Sequence, residues 1–301
     1  MELRQLEHFL AVVEEGSFSA AAARLFMVQS SLSASLLTLE RKLGTELFIR
    51  GRRGAELTDA GQALLGPARA VLQSIDGAMD AVAEVKGLLR GTVRIAALAV
   101  PRSIDICQTL RQFRQDHPQV EVEVVAAEAK AMLDMVADGR VDFAVAPRVE
   151  PMGSTVRFEP LVSTPLAVIC HRDHRLAGAR DVDPRDLVDE DIIDLSRAWL
   201  SRQLFDALLQ EHGVQRKVRL EVHDFLAVPP MVQSGVGISY GPYNSGDIDT
   251  FDGVGVAALA GAPQWEFGIA TRDEALRGAA GRALLAAYRR RCATAPARWS
   301  W

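Results

Sequence analysis

At 301 residues the chain is long enough for two or three domains, and 49% hydrophobic with 24% charged residues is the balance of a folded protein, which excludes disorder. A formal net charge of −5 excludes a protein that coats nucleic acid by charge alone, because such binding rests on many phosphate contacts. Cys107, Cys170 and Cys292 are odd in number and far apart, which suits reduced, buried thiols and not a disulfide frame.

The first element is an amphipathic helix. Leu3, Leu6, Phe9, Leu10 and Val13 recur on one face at a period near 3.6, and Gly16 ends it. Ser17 or Ser19 caps a short second helix, Ala20-Ala21-Ala22-Ala23-Arg24-Leu25, whose small side chains let a neighbour approach closely. After a turn at Phe26-Met27-Val28, a third helix starts at Gln29, runs through Leu32, Leu36, Leu39 and Leu43, and stops at Gly44. Its start carries Gln29, Ser30, Ser31, Ser33 and Ser35. The tight basic hairpin Arg50-Gly51-Arg52-Arg53-Gly54 follows. That order is the plan of a winged helix-turn-helix over residues 1–61, and it makes double-stranded DNA the leading partner.

Glutamine forms a bidentate pair with adenine and serine serves several bases, so the start of the third helix is fit to read a major groove. The hairpin arginines can grip phosphate or enter a minor groove. Each feature alone is ordinary, since Ser-rich helix starts are common caps and an Arg-Gly-Arg-Arg hairpin is usually a solvated turn. The conjunction carries the reading. Over residues 1 to 58 Arg4, Arg24, Arg41, Lys42, Arg50, Arg52 and Arg53 are balanced by Glu2, Glu7, Glu14, Glu15, Glu40, Glu46 and Glu56, so binding must rely on placement.

With these residues in view a resemblance emerges. Gly16-Ser17-Phe18-Ser19-Ala20-Ala21-Ala22, Arg24-Leu25, Gln29-Ser30-Ser31-Leu32-Ser33, Leu39-Glu40-Arg41-Lys42-Leu43-Gly44, Leu47-Phe48 and Leu57-Thr58-Asp59-Ala60-Gly61 closely resemble the LysR-type transcriptional regulators. The resemblance implies that Gln29, Ser30, Ser31 and Ser33 face the groove and that Arg50, Arg52 and Arg53 form the wing. Two positions depart from it. Val28 stands where the family usually has a capping Ser or Thr, a change typically worth about 0.5 to 2 kcal/mol, with Ser30 a candidate substitute. Ala34 replaces a frequent Arg or other long polar residue, so operator choice does not transfer by analogy.

Residues 62–90 form the next expected unit. Thr58 can cap a long helix, and Leu64, Ala68, Val71, Ile75, Ala78, Val82, Val85 and Leu89 alternate in steps of four and three. This heptad seam predicts pairing with another helix, most simply a second copy, through Val71, Ile75, Ala78, Val82 and Val85; packing on its own domain is the competing reading. Pro67 kinks the helix or marks a late start. In the family that the chain resembles this element is the dimerising linker, and a tetramer is implied by the resemblance only.

From residue 91 onward the pattern is α/β: apolar strands at Val93–Ala97, Val120–Val125 and Val141–Val145 alternate with amphipathic helices over Ile104–Gln115 and Met132–Asp138, which predicts a parallel sheet. A second lobe spans about 161–264, with strands at Leu166–Cys170, Ile192–Ile193, Val218–Val222 and Gly237–Tyr240 and a helix over Trp199–Glu211. The chain returns to the first lobe, about 91–160 and 265–301, through Trp265–Thr271 and a last helix over Ala279–Arg291. The result is a two-lobed effector-binding domain, periplasmic-binding-protein-like, with ligand expected at the carboxyl ends of the strands.

Those ends name the effector candidates: Ala99, Val100, Arg102 and Ser103 after the first strand, Glu128 and Ala129 after the second, Arg148 after the third, and Ser196 and Trp199 from the other lobe. For each, a surface or packing role is the competing reading. Val100 and Ala129 are apolar where many family members have Ser or Thr. The expected effector therefore has an apolar or aromatic body and an anionic group met by Arg102; alternatively the pocket is partly filled and no small molecule acts.

Other constellations are weak. Gly235-Val236-Gly237 follows a helix and precedes a strand, the wrong order for a dinucleotide fingerprint. His171-Arg172-Asp173-His174 lacks a third ligand, so no metal and no cofactor are expected. Asp224 caps a helix that Pro229-Pro230 breaks or restarts. With no leader and no apolar run long enough to span a bilayer, the expectation is a cytoplasmic protein without membrane contact. The leading reading is a non-enzymatic, homo-oligomeric regulator that binds an inverted-repeat operator, with RNA polymerase a candidate further partner. Its rival is a two-lobed binding or enzymatic domain whose amino-terminal module does not bind DNA.

Overall fold

The computed structural model describes residues 1–50, 55–85, 89–97, 106–216, 218–243, 252–272 and 278–294. The amino-terminal unit is built from α1 (Leu3–Glu15), α2 (Phe18–Arg24) and α3 (Gln29–Leu43), followed by the hairpin strands β1 (Phe48–Arg50) and β2 (Ala55–Leu57). Leu6, Phe9, Leu10 and Val12 bury the inner face of α1, whereas Leu3, expected on that face, is exposed at the first turn. The second helix starts two residues earlier than expected: Ser17 is its cap, accepting the Ala20 N–H at 3.0 Å, and Ser19 is left for another role. Ala21 and Ala22 are buried, so their small side chains set the close approach of α2. The chain bends by 108° between α2 and α3, within the range of a helix-turn-helix.

The hairpin is anchored from below. Phe48 packs its ring against Phe9 at 5.4 Å and Phe18 at 5.3 Å, and the Glu40 carboxylate accepts the Leu47 N–H at 2.8 Å. Its strands pair in the register Phe48 to Leu57, with the Ala55 N–H bonded to Gly16 O at 2.9 Å. The tip, with Arg52 and Arg53, lies outside the described residues, as does the side chain of Arg50.

Thr58 caps α4 (Asp59–Val85) as expected, accepting the Gly61 N–H at 3.0 Å while donating to Glu46 O at 2.7 Å. A Cβ at Gly61 would lie 2.2 Å from Leu47 O, so only glycine lets the helix start sit against the strand. The helix runs continuously through Pro67, which therefore marks no late start. Leu65 and Ala68 are buried in the core of the amino-terminal unit, so the first turns of α4 belong to it.

The rest is two lobes. The first holds β3 (Gly91–Ala97), α5 (Ile106–Asp116), β4 (Val120–Val125), α6 (Ala129–Ala137), β5 (Phe143–Pro147) and β6 (Arg157–Pro165). Its sheet has the order β4-β3-β5-β12-β6, with β12 (Gln264–Thr271) returning from the second lobe and α9 (Ala279–Thr294) following. The expected parallel sheet is mixed: β3, β4 and β5 are parallel, and β12 is antiparallel to β5 and β6. Strand β6 passes through residue 161, so this sheet extends to Pro165.

The second lobe contains β7 (Ala167–His171), β8 (Ile193–Leu195), α7 (Leu200–Glu211), β9 (Leu220–Val222), α8 (Val228–Gln233), β10 (Ser239–Gly241) and β11 (Val254–Ala258). Asp224 caps a short 3-10 turn over Phe225–Ala227, and α8 restarts with its prolines in the first turn. The chain passes between lobes twice, at β6 to β7 and at β11 to β12. A buried charge network sits behind the second lobe's strands. Asp194 accepts the Tyr240 hydroxyl at 2.7 Å and pairs with Arg216, Arg202 lies 3.5 Å from it, and both arginines reach Asp206.

Candidate nucleic-acid interface and ligand cleft

The first turn of α3 carries the chemistry of the amino-terminal unit. Gln29, Ser30 and Ser31 are exposed and Ser33 is half-buried, while Leu32, Leu36 and Leu39 face the core. The Gln29 amide is not free to rotate: its Oε1 accepts the Ser19 hydroxyl at 2.9 Å. Val28 stands at the cap with no side-chain hydrogen bond, and no capping bond from Ser30 replaces it.

Ser35 does not belong to this face. It is half-buried and lies 2.8 Å from His8 Nδ1 on α1. Burial pushes the His8 imidazole below its ordinary pKa.

Two of the basic side chains of this unit are paired internally. Arg24 pairs with Glu14 at 2.7 Å and Glu15 at 3.2 Å, and Lys42 lies 3.5 Å from Glu2. Of the others, Arg50, Arg52 and Arg53 fall on the hairpin by sequence position, and the N–H groups at the start of α3 add a partial positive charge.

On α4, Val71 and Ala78 are exposed and Ile75 is half-buried, leaving an apolar stripe only partly covered among the described residues. The side chains of Val82 and Val85 lie outside the described residues.

In the cleft domain, Ala99, Val100, Arg102 and Ser103 lie outside the described residues. Glu128 is the N-cap residue of α6, without a side-chain capping bond, and Ala129, the first residue of that helix, is buried. Arg148 is not a free anion receptor: it pairs with Glu150 at 2.9 Å and Glu266 at 3.2 Å, with Phe158 beneath its guanidinium. Those two carboxylates hold its pKa above the ordinary value.

Ser196 and Trp199 are brought together at the carboxyl end of β8, where the Trp199 N–H bonds to Ser196 O at 3.0 Å. Two aromatics that sequence reasoning missed join them. Phe225 stacks on Trp199 at 5.9 Å, and Tyr243 stacks on Phe225 at 5.5 Å. Trp199 Nε1 and the Tyr243 hydroxyl are buried without a hydrogen-bond partner among the described residues. Only their shared position after strand ends, at 199, 225 and 243, signalled this tier.

The cysteines differ from expectation in one respect: Cys170 is buried and Cys292 half-buried, but Cys107 is exposed. Burial pushes the Cys170 thiol up to about 11, so it is inert as a nucleophile near neutral pH. No single helix among the described residues is long and apolar enough to cross a membrane.

Two family models match the chain. The one described as "Bacterial regulatory helix-turn-helix protein, lysR family" covers residues 3–62, and "LysR substrate binding domain" covers residues 86–293. Among relatives, the HTH-type transcriptional regulator ShiR of Corynebacterium glutamicum is 32% identical over 256 residues, covering 82% of this chain and 84% of ShiR. The uncharacterized HTH-type transcriptional regulator YfeR of Shigella flexneri is 30% identical over 240 residues, covering 80% and 78%. Among solved structures, a full-length OxyR from Pseudomonas aeruginosa has TM-score 0.70 at 20% identity, covering 100% of this chain and 99% of that one. Full-length CbnR complexed with its target DNA has TM-score 0.60 at 21% identity, covering 98% and 100%. Both share the fold. The match over residues 3–62 sets aside the reading in which the amino-terminal module does not bind DNA.

Proposed function

Because this chain belongs to the LysR family of DNA-binding transcriptional regulators with an effector-binding domain, we propose that it reads an inverted-repeat operator as a homodimer through the first turn of α3. The carrying observation is Gln29: exposed on a buried-cored helix, with Ser19 holding its carbonyl oxygen, it presents an amide whose NH₂ and second lone pair are available to one base. Ser30, Ser31 and Ser33 extend the same face, and Arg50, Arg52 and Arg53 of the wing supply sequence-independent phosphate contacts.

The partly covered stripe Val71, Ile75 and Ala78, continued in sequence by Val82 and Val85, pairs with the same stripe of a second copy, and dimers associate further into tetramers. In the cleft, Arg102 and Ser103 meet the anionic group of a small effector, and the tier of Trp199, Phe225 and Tyr243 faces its apolar body. Effector occupancy favours one dimer arrangement by differential binding energy, which is what couples the cleft to the DNA. RNA polymerase is the partner through which such a shift acts on transcription, and the cytoplasm is where it operates.

Selection of bound duplexes from a random pool by the full-length protein, at physiological salt with random competitor, tests the DNA reading. Enrichment of an interrupted inverted repeat supports it. Recovery of unrelated sequences, with and without added cell metabolites, would reject it.

A further inference from the structure

Phe26 occupies a backbone position that suits glycine. Its N–H bonds to Ala23 O at 3.1 Å and the Met27 N–H bonds to Ala22 O at 3.0 Å, the pair of bonds that closes a helix through a left-handed residue. At φ 53 Phe26 lies in that left-handed region, where a bulky side chain is an outlier. Met27 turns back into the core and completes the motif's apolar contact. The Phe26 ring does not. It is 98% exposed, so no contact among the described residues offsets either the backbone conformation or an aromatic ring in water. Two residues on, Val28 is 65% exposed at the start of α3. The rim beside Gln29 and Ser30 is therefore apolar, in a unit whose neighbouring Arg24 is neutralised by Glu14 and Glu15.

We propose that Phe26 is a specificity-determining residue that packs, with Val28 beside it, on thymine C5-methyl groups at the edge of each half-site. The proposal rests on the reading that α3 enters the major groove. That groove is about 12 Å wide, so a helix end that fills it carries in the groups a few residues from its first turn. The thymine methyl is the apolar feature of the groove, and an aromatic ring is a fitting contact for it. Continuity with the exposed Gln29, Ser30 and Ser31 favours this occupant over a protein surface.

The test uses the full-length chain and the duplex it selects. Each thymine in turn is replaced by deoxyuridine, which removes only the C5-methyl, and affinity is measured for the wild type and for Phe26→Asn at one salt concentration. Asparagine accepts the left-handed conformation, so this variant should melt no lower than the wild type. The wild type should lose about fourfold per half-site when one particular methyl is removed, the equivalent of burying one methyl-sized group at about 0.8 kcal/mol. Phe26→Asn should bind the unmodified duplex weaker by the same factor and ignore that uracil. If both proteins respond alike to every uracil, or bind every duplex equally, the ring is not on a methyl and the inference falls, whatever Phe26→Asn does to transcription. If the wild type binds no duplex selectively, the groove reading itself fails, and this inference with it.

Discussion

The Ser19 hydroxyl donates to Gln29 Oε1 at 2.9 Å, joining the start of the second helix to the first residue of the third. An amide fixed in this way is pre-organised for one base, and the entropy of holding it is met before DNA arrives. Gln29→Ala should relax base preference at one position of each half-site by about 1 to 3 kcal/mol, and Ser19→Ala by a smaller part of that. Affinities for the selected operator and for single-base variants of it measure both; equal losses on operator and random duplex would reject a reading role for Gln29.

The hairpin arginines should act differently. Arg52→Ala combined with Arg53→Ala should weaken every duplex alike and flatten the slope of log affinity against log salt by about 2. A titration between low and physiological salt reads the slope. An unchanged slope would place these arginines away from phosphate.

A charge in the middle of the α4 stripe should separate the dimer. For Ile75→Glu the expected outcome is half the wild-type mass in light scattering, together with loss of operator affinity, since two half-sites then bind independently. An unchanged mass would assign the stripe to a contact other than self-pairing.

Inside the second lobe, Asp194 is fully buried and neutralises Arg216 and Arg202, with Tyr240 as its hydrogen-bond donor. Burial, reinforced by the Asp194 charge, raises the Tyr240 phenol far above its ordinary pKa, so it remains a donor. Asp194→Asn leaves two buried cations short of charge and should destabilise the chain by about 3 to 5 kcal/mol, whereas Tyr240→Phe removes one hydrogen bond and should cost about 1 to 3 kcal/mol. Urea unfolding followed by tryptophan fluorescence compares them, and a reversed order would contradict the charge network.

His8 gives stability a pH dependence of definite sign. Its folded pKa is depressed by burial, so as pH falls below the unfolded value of about 6.5 the unfolded chain takes up a proton that the folded chain resists. The His8 contribution is present above that pH and is lost as pH falls through the folded value. Melting temperature should drop between pH 7 and 5 more steeply for the wild type than for His8→Gln. Parallel curves would remove His8 as the cause.

The legibility of the chain follows the range of its interactions. The third helix could be bounded because the leucines between Leu32 and Leu43 and the Gly44 stop are local signals, and Gly44 holds φ 72. Strand β6 was missed because Pro160 and Pro165 speak against a strand; it lies at the edge of its sheet, where a missing N–H is tolerated. Strand β11 is also an edge, and its Gly255 and alanines carry little β signal. The turning of Ser35 toward His8, the Asp194 network and the Trp199 tier join residues tens of positions apart, which periodicity cannot relate. Arg148 was misjudged because Glu266, its partner across the sheet, is 118 positions away.

Leu65 and Ala68 bury the beginning of α4 in the same core as Phe9 and Leu36, so the DNA-reading unit and its helix turn as one body. The 27 residues of α4 make a rod about 40 Å long. Rocking such a rod by about 5° about its far end carries the near end roughly 3.5 Å, one nucleotide step along a DNA strand. In the proposed dimer, two such levers set the spacing between half-sites as an angle.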